Sequence, residues 1–334
     1  MKKNLLVVMG KMEQAKQVFS SVYWNAGWKG DYMFLAHESE IPEKQLKWFR
    51  ERGILVKKCK LIPNSEKLKI GKWLPVVFDV FYLFQPEFKK WKNLVFLEQD
   101  LIVKGSLEEL TRAKGFAAVQ GYPKLSELFL KSAQIRLAKV DKRIYNRLKK
   151  NYDLNVPSFN IGVMAFNTSI IKKDTFSKLK ELLNSYIDVS AAGAEGTLNL
   201  YFYRNWEKLP FIYNLDPYPL INIKKFRKED IKALVFHFHE NKPWNTKNYF
   251  YKEWKNNLEK AELIDLKKIQ VPARTLDAEE IKYYQRIVGK ESFSIKASVL
   301  SIRDSADRAV GLFGTFLKSY HPKLYYQLKK LKER

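Results

Sequence analysis

Asn93-Leu94-Val95-Phe96-Leu97-Glu98-Gln99-Asp100-Leu101-Ile102-Val103 is the stretch on which the fold turns. A short apolar run, Leu94 to Leu97, stops at two carboxylates two positions apart, and a second apolar run follows at Leu101. A continuous apolar run of this length reads as a strand buried on both faces, the kind found inside parallel sheets. In such sheets ligands bind beyond the carboxyl ends of the strands, which is where Glu98 and Asp100 stand. On an extended chain both carboxylates fall on the same side. That arrangement suits a divalent cation, which takes hard oxygen ligands. A charged turn between two strands has the same pattern, and the pattern alone does not separate the two.

Working outward, the preceding residues alternate strand and helix. Leu5 to Met9 reads as a buried strand, Gln14 to Trp24 as a helix, and Asp31 to Ala36 as a second strand. Pro42 opens a helix carrying Leu46 and Phe49, Gly53 stops it, and Ile54-Leu55-Val56 begins a third strand. Trp73 to Phe84 is expected to be helical. Downstream, Phe159 to Phe166 and Ala233 to Phe238 return to strand character. The alternation predicts an α/β fold, a mostly parallel central sheet with helices on both faces. Beyond about residue 262 the strand signal fades, and Ala278 to Val288, Ser305 to Ser319 and Pro322 to Lys332 read as helices. The expected organisation is an α/β domain over 1–262 and a basic helical extension over 263–334.

Composition narrows the class. The 334 residues carry a formal charge of +25, yet 46% are hydrophobic and 14% aromatic, too many for a disordered polycation. A single cysteine, Cys59, excludes an internal disulfide framework and suits a reducing compartment. The apolar run after Lys2 and Lys3 is too short for a signal peptide and reads as the first strand. No run of about 18 apolar residues exists. A cytoplasmic protein, soluble or peripheral on the inner face of the cell membrane, is expected. The positive excess calls for an acidic partner: nucleic acid, an anionic membrane or a phosphorylated substrate.

Three further stretches carry candidate chemistry. Two of the four histidines lie in Val235-Phe236-His237-Phe238-His239-Glu240-Asn241-Lys242-Pro243-Trp244. A neutral imidazole there could complete a metal site begun by carboxylates, and Lys242 could meet a phosphate. A surface strand end with ordinary polar decoration would look the same. In Pro157-Ser158-Phe159-Asn160-Ile161-Gly162-Val163-Met164-Ala165-Phe166-Asn167, Asn160 can hydrogen-bond sugar hydroxyls and Gly162 permits close backbone approach, though an Asn here more often caps or turns the chain. Glu195-Gly196-Thr197-Leu198-Asn199-Leu200, followed by Trp206 to Pro210 and Tyr213-Asn214, reads on spacing alone as a capped helix leading into a loop.

In this order the four stretches resemble glycosyltransferase family 8, the glycogenin and lipopolysaccharide-galactosyltransferase type. The family's D-x-D strand is similar to Asn93 to Val103, and its "FNsGvmlfN" to Phe159 to Asn167. Its "DQ..LN…w..Lp..yN" is similar to Ala194 to Asn214, and its "HF.G..KPW" to His237 to Trp244. The resemblance covers roughly residues 4–260. It implies a GT-A (Rossmann-like) nucleotide-sugar-binding fold and a UDP-sugar donor such as UDP-glucose or UDP-galactose. It also implies Mn²⁺ or Mg²⁺ and transfer with retention to a glycan or lipid-linked acceptor. Carried over by position, Glu98, Asp100 and His237 hold the metal, with Glu98 where the family has aspartate and a part in donor binding. Lys242 contacts the pyrophosphate, Lys72 is a donor-binding candidate, and Asn160 faces the donor sugar. Ala194-Glu195 stands where the family has Asp-Gln, leaving Glu195 as the candidate to stabilise the oxocarbenium-like centre. The alternative is a family-8-like protein whose altered site binds nucleotide-sugar or partners without efficient turnover.

The basic charge is concentrated in two segments. Lys124 to Lys150 has nine basic and two acidic residues, with Leu137, Val140, Ile144 and Leu148 at helical spacing, and reads as a basic helical insertion. Gly314 to Arg334 has six basic residues and one acid. With Leu324, Leu328 and Leu331 on one face, it suits a helix lying on an anionic leaflet, or one packed on the catalytic domain. No nucleic-acid-binding motif is present, so nucleic acid is not expected as the partner.

Overall fold

The computed structural model describes residues 2–62, 75–122, 124–130, 140–222, 226–239 and 241–267, with five single positions between 272 and 282. Lys72, the middle of the predicted basic insertion and, apart from Glu279 and Lys282, the predicted C-terminal helices lie outside the described residues.

Nine strands are present among them. β1 (Leu5–Met9), β2 (Asp31–His37), β3 (Leu55–Cys59), β4 (Asn93–Leu97), β6 (Phe116–Gln120), β7 (Phe159–Asn167) and β8 (Glu207–Leu209) form one sheet. Its order is β3-β2-β1-β4-β7-β6-β8. β1, β2, β3 and β4 run parallel, as does β8 beside β6, and only β7 runs against its neighbours. β5 (Leu101–Val103) and β9 (Val235–His237) form a separate antiparallel pair in which Leu101 faces His237. The predicted mostly parallel α/β architecture is the one observed.

The strand alternation explains the layers. Leu6, Val8, Phe34, Ala36, Val95 and Leu97 enter one core, shared with α1 (Met12–Asn25) and α2 (Glu43–Glu51). Leu5, Val7, Met9, Met33, Leu35, Leu94 and Phe96 enter the other, against Phe78, Phe81 and Phe84 and the helices Thr175–Tyr186 and Gly193–Tyr201. All five residues of β4 are buried, as its unbroken apolar run requires. Pro75–Phe84, expected to be helical, winds as a 3₁₀-helix. Pro75 and the β-branched Val76, Val77 and Val80 make this a poor α-helix, and the aromatic side chains packed on the sheet hold it. Lys142–Asn151 is an α-helix capped by Asp141, whose carboxylate accepts from the Arg143 amide. Its Leu148 is buried in a satellite cluster with Leu125, Leu128 and Phe129. No described helix is long and apolar enough to cross a membrane.

Candidate metal and donor site at the sheet edge

Glu98, Gln99 and Asp100 form a turn between β4 and β5, not the extended chain expected from the E-x-D pattern. The two carboxylates converge all the same, because the turn is fastened on both sides. The Glu98 amide donates to Gly162 O at 3.0 Å, and Asp100 O accepts from the Phe238 amide at 3.1 Å. Gln99 Oε1 accepts from the Lys11 amide at 2.8 Å. Gly10, with φ +143°, makes that closeness possible: a Cβ there would lie 2.3 Å from Gln99 Cβ.

His237 ends β9 and points into this turn. Its Nε2 lies 3.4 Å from Glu98 Oε2 and 3.3 Å from Asp100 Oδ1. Glu98, Asp100 and His237 each offer one ligand atom, and all three atoms lie within 4.8 Å of one another. Two carboxylate oxygens and an imidazole nitrogen are a donor set suited to Mn²⁺ or Mg²⁺. Lys242 Nζ sits 2.5 Å from Asp100 Oδ2 and donates to Phe238 O at 2.8 Å. Burial by itself would raise the Asp100 carboxyl, but His237 and Lys242 outweigh it and hold it well below the usual carboxylate range. Burial likewise opposes charge on His237, yet Asp100 and then Glu98 prevail and push the imidazole up to about 9.

The neighbouring elements make this approach possible. Gly162 on β7 faces the His237 ring, and a Cβ there would lie 2.3 Å from Cε1 and 2.4 Å from Nδ1. His237 Nδ1 meets Asn214 Oδ1 at 2.7 Å. Asn214 follows the 3₁₀ turn Phe211–Tyr213. Backbone bonds from the Leu215 amide to Val235 O and from the His237 amide to Leu215 O keep it beside the ring. Asn214 Nδ2 donates to Asn160 Oδ1 at 2.7 Å, and Asn160 Nδ2 donates to Glu195 Oε2 at 2.8 Å. Glu195 lies in the first turn of helix Gly193–Tyr201, and Asn199 on the next turn bonds both backbone groups of Phe159.

Six of the seven site residues expected from sequence therefore meet at one sheet edge. Lys72 lies outside the described residues. Asn160 sits inside β7, and its oxygen already accepts from Asn214 and the Gly162 amide. His239 is not one of the three clustered ligands: its ring lies 4.1 Å from that of His237, and its Nδ1 pairs with Asp216 at 3.1 Å. Sequence reasoning assigned no role to Asn214, Asn199 or Gln99. Asn214 stands in a quoted motif, but its task depends on β9 lying beside it.

Comparison with known proteins places the chain in a family. The sequence profile of Glycosyl transferase family 8 matches residues 12–248, which contain Glu98, Asp100, Asn160, Glu195, Asn214, His237 and Lys242. The chain belongs to glycosyltransferase family 8. Glycosyltransferase GlyB of Streptococcus pneumoniae serotype 4 (strain ATCC BAA-334 / TIGR4) is 27% identical to this family 8 member over 188 residues. That match takes in 52% of this chain and 40% of GlyB. The structure of the galactosyltransferase LgtC, in complex with donor and acceptor sugar analogs, superposes with a TM-score of 0.54 at 13% identity, covering 83% of this chain and 98% of LgtC. The bifunctional glycosyltransferase WbbM, in its apo structure, gives 0.55 at 16% identity, covering 77% of this chain and 49% of WbbM. The chain thus spans about half or less of GlyB and WbbM. At these identities the structural likeness speaks for the GT-A fold.

Proposed function

We propose that this chain transfers a hexose from a UDP-sugar, UDP-glucose or UDP-galactose, to a glycan or lipid-linked acceptor with retention of configuration. The observation that carries the reading is the convergence of Glu98, Asp100 and His237, with Lys242 alongside, at the carboxyl edge of the sheet. Breaking the bond between the sugar C1 and the diphosphate oxygen leaves negative charge on the departing nucleoside diphosphate. A divalent cation held by Glu98, Asp100 and His237 supplies electrostatic stabilisation for that charge when bound. Lys242, held at the site by Asp100 Oδ2 and Phe238 O, is the cation available to the diphosphate oxygens. In a front-face substitution the acceptor hydroxyl bonds to C1 on the side the diphosphate leaves, and its proton passes to the departing oxygen. Glu195, half-buried beside β7 and bonded to Asn160, supplies negative charge facing the oxocarbenium-like centre. The proposal includes a peripheral position on the cytoplasmic face of the membrane, supported by the basic and apolar make-up of Gly314 to Arg334.

Release of UDP from UDP-glucose and UDP-galactose, with and without Mn²⁺, tests the reading in wild type and in Asp100→Ala. The expected result is metal-dependent turnover in wild type that falls at least about 100-fold in the variant. Absence of metal-dependent turnover with every common UDP-sugar would refute it.

A further inference from the structure

The hydrogen bonds between Glu195 and His237 run in one direction only, and the direction can be deduced from a group that cannot be flipped. The Gly162 backbone N–H donates to the Asn160 side chain at 2.9 Å, so the Asn160 atom facing it must be oxygen. Glu195 Oε2 accepts from the Ile161 N–H at 3.4 Å and lies 2.8 Å from the other end of the same amide, which places nitrogen there as its donor. With the Asn160 oxygen so placed, the Asn214 atom 2.7 Å from it must be the Nδ2 donor. Asn214 Oδ1 is then the atom 2.7 Å from His237 Nδ1, and that nitrogen must carry a proton. A ring protonated at Nδ1 has its other nitrogen, Nε2, available to a metal, and Nε2 is the atom facing Glu98 and Asp100.

We propose that Asn214 is the positioning residue of the metal centre: with Asn160 behind it, it holds His237 in the Nδ1–H form and aims Nε2 at the Glu98–Asp100 turn. The inference rests on the reading of Glu98, Asp100 and His237 as a metal site. Asn214, Asn160 and His237 are 7%, 8% and 2% exposed, so water has little room to take over a missing bond. The ring is also clamped sterically, because only hydrogen on Gly162 lets it lie against β7. Sterics set the plane of the imidazole, and Asn214 sets which nitrogen is bare. The same relay ties the metal centre to Glu195, so the two candidate functional groups are oriented by one hydrogen-bonded network.

The test uses the full chain and Mn²⁺ alone. Asn214→Leu keeps the branched shape and the number of side-chain heavy atoms and removes the acceptor, whereas Asn214→Asp keeps an oxygen facing Nδ1 and, protonated on its other oxygen, still donates to Asn160 Oδ1. Calorimetric titration is expected to show Mn²⁺ binding weakened about 10- to 100-fold in Asn214→Leu. Asn214→Asp should remain within a few-fold of wild type. Equal affinity in wild type and a folded Asn214→Leu, or equal weakening in both variants, overturns the inference. A second measurement needs no variant. In metal-free wild type labelled with ¹⁵N-histidine, His237 Nδ1 should be found carrying a proton, as its bond to Asn214 Oδ1 requires. A neutral ring bare at Nδ1 overturns the inference whether or not the chain binds metal. Failure of wild type to bind Mn²⁺, with Nδ1–H observed, removes the metal reading and leaves the orienting role of Asn214 standing.

Discussion

Gly162→Ala gives the most direct test of how the site is built. The added Cβ would sit 2.3 Å from His237 Cε1, 2.4 Å from Nδ1 and 2.9 Å from Asn160 Oδ1. Carbon atoms rest about 3.5 Å apart or more, so the ring must retreat by roughly 1 Å. It has nowhere to go: His237 is buried, and its far side meets Glu98 and Asp100. Overpacking of this kind costs about 1–3 kcal/mol. For a chain of this size each kcal/mol lowers the melting temperature by about 2–4 °C, so a fall of roughly 2–12 °C is expected in a thermal scan. Displacement of a positioned group by about 1 Å should lower turnover on the order of 100-fold. Mn²⁺ affinity, titrated on the same samples, should fall with it. A Gly162→Ala protein with wild-type melting temperature, Mn²⁺ affinity and turnover would refute the steric argument.

Metal binding is expected to depend on pH with a definite sign. His237 is raised from its ordinary value to about 9 by the carboxylates, so an incoming ion must displace its proton. Mn²⁺ affinity should therefore climb about tenfold per pH unit up to about pH 9, with one proton released per ion, and a flat profile in calorimetry across that range would contradict the assignment. In the metal-free chain the same shift adds stability that is complete below the ordinary histidine value and disappears as the pH rises through about 9. At the other end of the chain, replacing Lys323, Lys329, Lys330 and Lys332 by Gln removes about 4 kcal/mol of attraction to an anionic leaflet, at about 1 kcal/mol each. Flotation with phosphatidylserine-rich liposomes should then weaken on the order of a thousandfold, and unchanged flotation would discard the membrane proposal.

Much of the fold was legible in the chain because burial leaves a local trace. Leu5 to Met9 and Leu94 to Leu97 are apolar without interruption because both faces of β1 and β4 are covered, and an unbroken apolar run can be read without knowing its neighbours. Pro75–Phe84 was read less well. Its apolar content announced burial, but α and 3₁₀ winding differ by backbone hydrogen bonds that composition does not encode. Glu98 and Asp100 stood out by spacing, though the reason they converge is a turn tied to Gly10, Lys11 and Gly162 rather than a shared face of a strand.

The residues therefore determined by themselves the layered α/β sheet, its buried strands and the family motifs, since these rest on periodicity and on short-range order along the chain. Tertiary structure alone decided that Asp100 and His237, 137 positions apart, share one cluster, and that Asn214 and Asn160 stand behind the imidazole. Those contacts depend on β5 pairing with β9 and on β7 lying next to β4. Such pairings are fixed by the packing of whole layers, and no local segment carries a record of them. The role of Asn214 follows from that packing, because an asparagine becomes an orienting group only when a histidine is folded against it.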